Sequence, residues 1–309
     1  MSLAGDQLFR PLRARGYRLR MVSAEHISSL KQEIEARGKQ GELDHEFYAL
    51  RLAWLKFELP EQLKDARSII VVAVPRPQTQ ATFAWKGRKR SLILPPTYTA
   101  YDRTVQQTAD LLGEILKKKG YRIAATSLPL KLLAARSGLV QYGRNNITYA
   151  RGMGSFLQLV AVYSDMPCVQ DSWQEPEMMA ACESCELCRK ACPTGAIPSD
   201  RFLLHAERCI VFHNEKPGNI PFPSWINPSW HNCIEGCLHC QRPCPPDREF
   251  MKWIEDEEEF SEQETAMLLN GVPREALPAE TAEKLQRLSI LEDIGMLPRN
   301  LGVFFRERT

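Results

Sequence analysis

The sequence predicts an α+β protein, with an α/β N-terminal domain followed by a small, loop-rich domain organised on cysteine. Three observations carry this expectation. Ser68-Ile-Ile-Val-Val-Ala-Val74 is an unbroken apolar, β-branched run stopped by Pro75, which marks a buried strand. Thr104 to Lys119 places Val105, Ala109, Leu112, Ile115 and Leu116 on one helical face, with Gly120 as the stop. From about residue 168 to 250 the chain is rich in proline and cysteine, which suits a domain built around something other than side chains.

The cysteines are spaced for a purpose. Cys182-Glu-Ser-Cys185-Glu-Leu-Cys188-Arg-Lys-Ala-Cys192-Pro193 follows the pattern C-x2-C-x2-C-x3-C-P of bacterial two-cluster ferredoxins. Soft thiolate is the ligand that iron–sulfur clusters require. Cys237-Leu-His-Cys240-Gln-Arg-Pro-Cys244-Pro245 repeats the last three positions, but Ile234 stands where the first thiol would be. In this pattern the late cysteine of each motif serves the cluster of the other. Cys182, Cys185, Cys188 and Cys244 are therefore expected to hold one [4Fe–4S] cluster. Cys192, Cys237 and Cys240 hold the second, with Cys209 or Cys233 as the remaining ligand. Cys209 is favoured because Cys233 lies only four residues before Cys237, off register. Zinc fills C-x2-C pairs, but a run of four thiols ending in Cys-Pro with a second Cys-Pro half is not a usual zinc spacing, and disulfides fit it less well. Cys168 lies outside both motifs and is expected to be a small buried apolar residue.

The 309 residues are enough for one large domain or two ordinary ones, and an apolar content of 44% supports a full core. A formal net charge of +2 argues against an overall nucleic-acid or membrane surface. The N-terminus lacks a charged stretch followed by an apolar run, and no segment reaches the length of a membrane span. A cytoplasmic protein is expected, with no membrane partner.

The remaining segments are read in order. Residues 1–66 are expected to be mostly helical, and 76–97 to form a loop carrying the basic run Lys86-Gly-Arg-Lys-Arg90, usually a solvated face but a possible grip for an anionic substrate. Tyr121 to Thr126 reads as a strand and Pro129 to Ser137 as a short helix opened by proline. Ser137 to Asn146, with two glycines and two asparagines, is a tight loop suited equally to a connector or a ligand cradle. Gly154-Ser155 opens the apolar strand Phe156 to Tyr163. Phe202 to Val211 is expected to be a helix carrying Cys209. Trp225, Trp230 and His231 are expected to pack over the cluster. Glu255 to Glu259 reads as a solvated helix face, followed by the capping-box pattern Ser261-Glu-Gln-Glu264 and a short helical tail. The expected domains are 1–166, an α/β cofactor- or substrate-binding domain; 167–250, a two-[4Fe–4S] ferredoxin-like domain; and 251–309, the tail.

The order of these pieces resembles epoxyqueuosine reductase and its relatives, which share their architecture with cobalamin-dependent reductive dehalogenases. The resemblance rests on Leu133-Ala-Ala-Arg136-Ser-Gly138-Leu-Val-Gln-Tyr142-Gly143-Arg144-Asn145, on Gly154-Ser155, and on the two-cluster module. The family loop reads approximately A-G-L-G-W-x-G-K-N; here Val140 replaces a glycine and Gln141 a tryptophan. The resemblance implies a nitroreductase-like, cobalamin-binding N-terminal domain, with Arg136, Gly138, Tyr142, Gly143, Asn145, Gly154 and Ser155 around a base-off cobalamin. Electrons would pass from a ferredoxin or flavodoxin through the clusters to the cofactor and then to a small-molecule or modified-nucleoside substrate. The family has an acidic proton donor just before the short helix. The corresponding segment here is Thr126-Ser127-Leu128-Pro129, so Thr126 stands at that position, and a hydroxyl is too weak an acid to replace a carboxylic acid directly. A helical-repeat extension that grips tRNA in many such reductases is represented only by the short tail. A divergent reductase is therefore expected, with nucleic acid not expected as a partner. The alternative is a ferredoxin-type electron-transfer protein with no organic cofactor.

Overall fold

The computed structural model describes residues 7–305, apart from the side chains of 256 and 257. The strands are β1 (Arg18–Ser23), β2 (Ser68–Pro75), β3 (Gln78–Trp85), β4 (Arg88–Leu94), β5 (Ile123–Ala125), β6 (Gln141–Tyr142), β7 (Thr148–Tyr149), β8 (Leu157–Ser164) and β9 (Ile254–Phe260). The α-helices are α1 (Arg10–Ala14), α2 (Ile27–Lys39), α3 (His45–Arg51), α4 (Tyr101–Lys117), α5 (Leu130–Arg136), α6 (Leu187–Ala191), α7 (Ile210–Asn214), α8 (Glu262–Leu269), α9 (Ala279–Arg287) and α10 (Leu297–Phe305). They fall into two compact units. The first comprises Met1–Pro75 and Asp102–Glu186, the second Arg76–Tyr101 and Leu187–Thr309. This division crosses the expected boundaries twice: residues 76–101 leave the N-terminal part, and the first cysteine motif is cut between Cys185 and Cys188.

The first unit is built on the sheet β1-β2-β8-β5, whose neighbours all pair antiparallel. Its two central strands are apolar on both faces because both are covered. Val22, Ile69, Val71, Leu159, Ala161 and Tyr163 face Leu30 of α2 and Leu132 and Leu133 of α5. Leu19, Ile70, Val72, Val160 and Val162 face Leu12 of α1 and Leu112, Ile115 and Leu116 of α4. The strand β1 corrects the helical expectation for residues 1–66. Arg18-Leu19-Arg20-Met21 alternates exposed and buried, the period of a strand with one wet face.

In the second unit, residues 76–97 form a hairpin instead of the expected loop. β3 and β4 pair antiparallel from Thr79–Leu94 to Trp85–Arg88, and the turn puts Lys86 at φ 49° and Gly87 at φ 71°. Both central residues left-handed is the twist a two-residue hairpin needs, and lysine rather than asparagine at the first position hides the signal. The acidic run 255–259, expected on a helix, lies in β9, which pairs parallel with β3. Glu258 is met by Arg287, and Glu259 by Lys89. Phe83 of β3 stacks on Phe260 of β9 at 4.7 Å between ring centroids. Around them pack Leu92, Leu94, Leu268, Leu285, Leu288, Leu297 and Leu301. The tail is therefore half of this core, and the unit does not rest on cysteine alone. Among the described residues no helix is long and apolar enough to cross a membrane.

The capping box at Ser261 is present: Glu264 N donates to Ser261 Oγ at 3.2 Å, and Ser261 N donates to Glu264 Oε2 at 2.8 Å. The same carboxylate also accepts from Thr281 Oγ1 and from Lys284 Nζ. Burial alone would raise its pKa, but the Ser261 main-chain donor and the Lys284 ammonium outweigh it and hold the group below the usual carboxylate range. A depressed folded pKa contributes stability above the unfolded value and loses it as pH falls through the folded value. Glu264→Gln is therefore expected to cost about 1–3 kcal/mol at neutral pH. In urea titrations the gap between variant and parent should close as pH falls below the ordinary carboxylate range; a constant gap would contradict this.

Candidate metal centre

The second cysteine set lies wholly within the second unit. Cys209 is the N-cap of α7, after a 3-10 turn at Ala206–Arg208, so the expected helix 202–211 is replaced by a turn that presents the thiol at a helix entrance. Burial, followed by the charges of Cys237 and Cys192, pushes the Cys209 thiol up to about 12. Burial and then Cys237, Cys209, Cys192 and Cys188 push Cys240 well above its ordinary value. Cys237, half-buried, is raised to about 11, chiefly by desolvation, and feels Cys192. Cys192, Cys209, Cys237 and Cys240 thus share one neighbourhood. Gathering four thiols out of water is unfavourable for the thiolates until a cation is placed among them, and bound iron reverses that balance. Among the described residues no three His, Cys, Asp or Glu side chains converge tightly enough for a single ion. A four-iron cubane does not require that, because each thiolate binds a different iron.

Cys233 is buried, but of the thiols only Cys237 contributes to its shift, and its Sγ donates to Asn232 Oδ1 at 3.2 Å. Cys209 feels both Cys237 and Cys192 and so stays the favoured remaining ligand. Cys209→Ala is expected to lose one cluster's iron and Cys233→Ala to retain it. Iron analysis of the two variants checks this, and an unchanged content for Cys209→Ala would reverse the assignment.

The loops bearing this set are braced from the tail. Arg299 of α10 donates to the carbonyls of Asn214, Lys216, Pro217 and Ile220, and Asn300 to those of Asn214 and Ile234. Asn214 in turn bonds both main-chain groups of Gly236. His239, between Cys237 and Cys240, is tied to the carbonyl of Trp230 at 2.8 Å. Trp225 packs edge-on against His213, and His231 lies against Phe222. These aromatic contacts are packing contacts.

In the first unit, Cys182 and Cys185 sit on a loop held by a residue that motif reading passes over. Arg144 donates to the carbonyls of Cys182 (2.5 Å), Cys185 (3.0 Å) and Glu183 (3.1 Å). One planar guanidinium fixes the turn and sets a positive charge beside it. The signal was its place between Gly143 and Asn145 in a loop of otherwise neutral residues.

The loop expected to cradle a cofactor is drawn together, mostly by itself. Arg136 is paired with Glu33 (2.7 Å) and Glu175 (2.7 Å) and lies over Trp173. Tyr142 is buried, and its main chain bridges to Glu177 and Met179. Asn145 donates to Tyr149 Oη at 2.9 Å and accepts from Ile147 N at 3.1 Å. A Cβ on Gly143 would lie 2.5 Å from Asn145 Oδ1, and one on Gly138 2.7 Å from Gln174 Oε1. Gly154 accepts from Ala150 N, and Ser155 is buried. Thr126 gives its hydroxyl to the Ala161 carbonyl at 3.2 Å. Cys168 is partly buried beside an apolar cluster, and burial raises it to about 11.

Residues 181–247 match a family described as the 4Fe-4S double cluster binding domain. This supports two [4Fe–4S] clusters in that span over the zinc reading. The epoxyqueuosine reductase of Burkholderia pseudomallei is 30% identical over 182 residues, covering 52% of this chain and 44% of that one. The chain thus spans less than half of that relative's length. The structure of epoxyqueuosine reductase from Streptococcus thermophilus superposes with a TM-score of 0.66 at 17% identity, over 98% of this chain and 80% of the other. An epoxyqueuosine reductase solved with a tRNA-Tyr epoxyqueuosine-modified stem loop superposes with a TM-score of 0.65 at 21% identity, over 97% and 80%. At these identities the structural likeness establishes the fold. Sequence, fold and cysteine pattern together make this chain an epoxyqueuosine reductase-like iron–sulfur protein with a 4Fe-4S double-cluster domain.

Proposed function

We propose that the chain is a reductase that carries single electrons through two [4Fe–4S] clusters to a modified nucleoside held in RNA. The observation that carries this reading is the double-cluster domain, matched over residues 181–247, in a chain whose sequence and fold follow epoxyqueuosine reductases. A neighbour of the same fold was solved with an epoxyqueuosine-modified tRNA stem loop, which supports RNA as the carrier of the substrate and displaces the expectation drawn from net charge alone. Cys182, Cys185, Cys188 and Cys244 would hold one cluster, and Cys192, Cys209, Cys237 and Cys240 the other. A one-electron carrier of the ferredoxin or flavodoxin type would supply the electrons.

The resemblance also implies a corrinoid. Of the loop residues assigned to it, Gly138 lines an open cleft of about 910 Å³ with Leu139, Val140, Gln141 and Tyr149, whereas Arg136, Tyr142 and Asn145 are engaged by protein groups and the space beside Gly143 is filled by Asn145 and Tyr149. No step is routed through that group.

The test is anaerobic. Protein reduced at both clusters is mixed with an epoxyqueuosine-bearing RNA stem loop, with and without added cobalamin, and cluster reoxidation is followed in the visible spectrum. Reoxidation coupled to loss of the epoxide supports the reading. Clusters that stay reduced in both arms would overturn it and leave an electron carrier.

A further inference from the structure

A cleft of about 910 Å³ runs along β1 in the first unit, lined by Arg13, Arg18, Arg20 and Arg151 among others. Among the described residues β1 is an edge strand, paired with β2 alone. The Ser172 main chain and hydroxyl both donate to the Met21 carbonyl, so Met21 turns its main-chain groups toward the free edge, as does Leu19 two residues before it. The cleft therefore offers main-chain donors between side-chain guanidiniums.

Several arginines elsewhere in the chain are neutralised by carboxylates. Arg37, Arg122, Arg136, Arg274 and Arg287 are each paired with a carboxylate. Among the described residues Arg18 and Arg151 have neither an ion pair nor a side-chain hydrogen bond, and both are exposed. The Arg18 guanidinium reaches the main chain next to Arg151: a Cβ on Gly152 would lie 3.2 Å from Arg18 Nη2. The cleft's two carboxylates do not relieve them. Asp171 serves His26, Ser23 and Trp173, and Glu177 serves Gln141. Two unpaired guanidiniums lining one cleft favour an anion there, and the planar fork of arginine suits phosphate oxygens.

The basic run 86–90 makes the contrast. Lys89 pairs with Glu259, and Arg90 donates to the Phe304 carbonyl and lies over its ring. Two cations of that run are thus engaged within the second unit.

We propose that the β1 cleft is a docking groove for the phosphodiester backbone of an RNA ligand, with Arg18 and Arg151 as its principal contacts. The choice of RNA as the polyanion rests on the function proposed above; the groove itself rests on the arginines. Phosphate contacts of this kind position a nucleic acid without reading its sequence.

Binding of a fluorescent, unmodified RNA stem loop to the iron-loaded protein tests this, by anisotropy between about 50 and 200 mM salt. The variant Arg18→Gln/Arg151→Gln should bind at least about tenfold more weakly, and its log–log salt slope should fall by about 2, one for each phosphate no longer neutralised. Its iron content and melting temperature should match the parent. Lys89→Gln/Arg90→Gln should leave affinity and slope unchanged. Equal affinity and slope for the Arg18/Arg151 variant would overturn the groove while leaving RNA binding elsewhere, and with it the proposed reaction, intact. Absence of any RNA binding by the parent would overturn both the groove and the RNA-borne substrate. Polyglutamate competing as well as RNA does would reassign the cleft to an acidic protein and so overturn it too.

Discussion

Cys240→Ala is expected to remove one whole cluster, lowering iron from eight per chain to about four in protein prepared without air. Two four-iron clusters set the parent value. Cys240 is half-buried and is the thiol that feels Cys237, Cys209, Cys192 and Cys188 together, so its loss opens the centre of the set. Cubane assembly needs all four ligands, and the free energy of metal binding is also folding free energy. The variant should therefore melt earlier and become protease-sensitive in the second unit. Cys168→Ala, outside both motifs, should keep eight irons. Full iron in Cys240→Ala would remove Cys240 from the ligand set and require Cys233 in its place.

Gly218→Ala is expected to be the most damaging single methyl addition outside the cysteines. A Cβ at Gly218 would lie 1.7 Å from the carbonyl oxygen of Gly295, 2.7 Å from its carbonyl carbon and 2.9 Å from Met296 Cα. All three are main-chain atoms, so no side-chain rotamer relieves the overlap. The close approach joins the connection before the second half-motif to the turn that leads into α10, the helix whose Arg299 and Asn300 brace the same connection. The expected cost is about 3–5 kcal/mol, in the upper range for single substitutions. Gly295→Ala is the control, because a Cβ there meets nothing within 4 Å. Thermal melts of the two variants decide the matter: indistinguishable melting would contradict the close approach.

Much of this molecule is legible in its residues because the strongest signals are local. The apolar run 68–74 has only one way to be buried, and it is the centre of the first sheet. The cysteine spacing states its chemistry without any fold. What escapes is non-local. Glu255 to Glu259 looks like a wet helix face until Arg287 and Lys89 arrive from distant segments to meet Glu258 and Glu259 and allow them into a strand. The hairpin 78–94 is hidden by a lysine in the left-handed position, which only the completed pairing stabilises. The glycine–asparagine loop reads as a ligand cradle because glycine and asparagine suit ligands and tight turns alike. In the structure Asn145 and Tyr149 fill the space beside Gly143, and Gln174 that beside Gly138. Arg144, by contrast, gains its meaning only from the folding of residues 182–185 around it.

Function follows the same line. The clusters come from spacing, the proposed groove from a cleft whose arginines lie in α1, β1 and the turn after β7, and no one of those segments announces it alone.

The central claim is that eight of the ten cysteines cage two cubanes. Iron and acid-labile sulfide analysis of protein purified without air, with low-temperature electron paramagnetic resonance after one-electron reduction, tests it most directly. The account predicts eight irons and eight sulfides per chain with the signals of two reduced [4Fe–4S] clusters; zinc in their place, or no more than four irons, would contradict it.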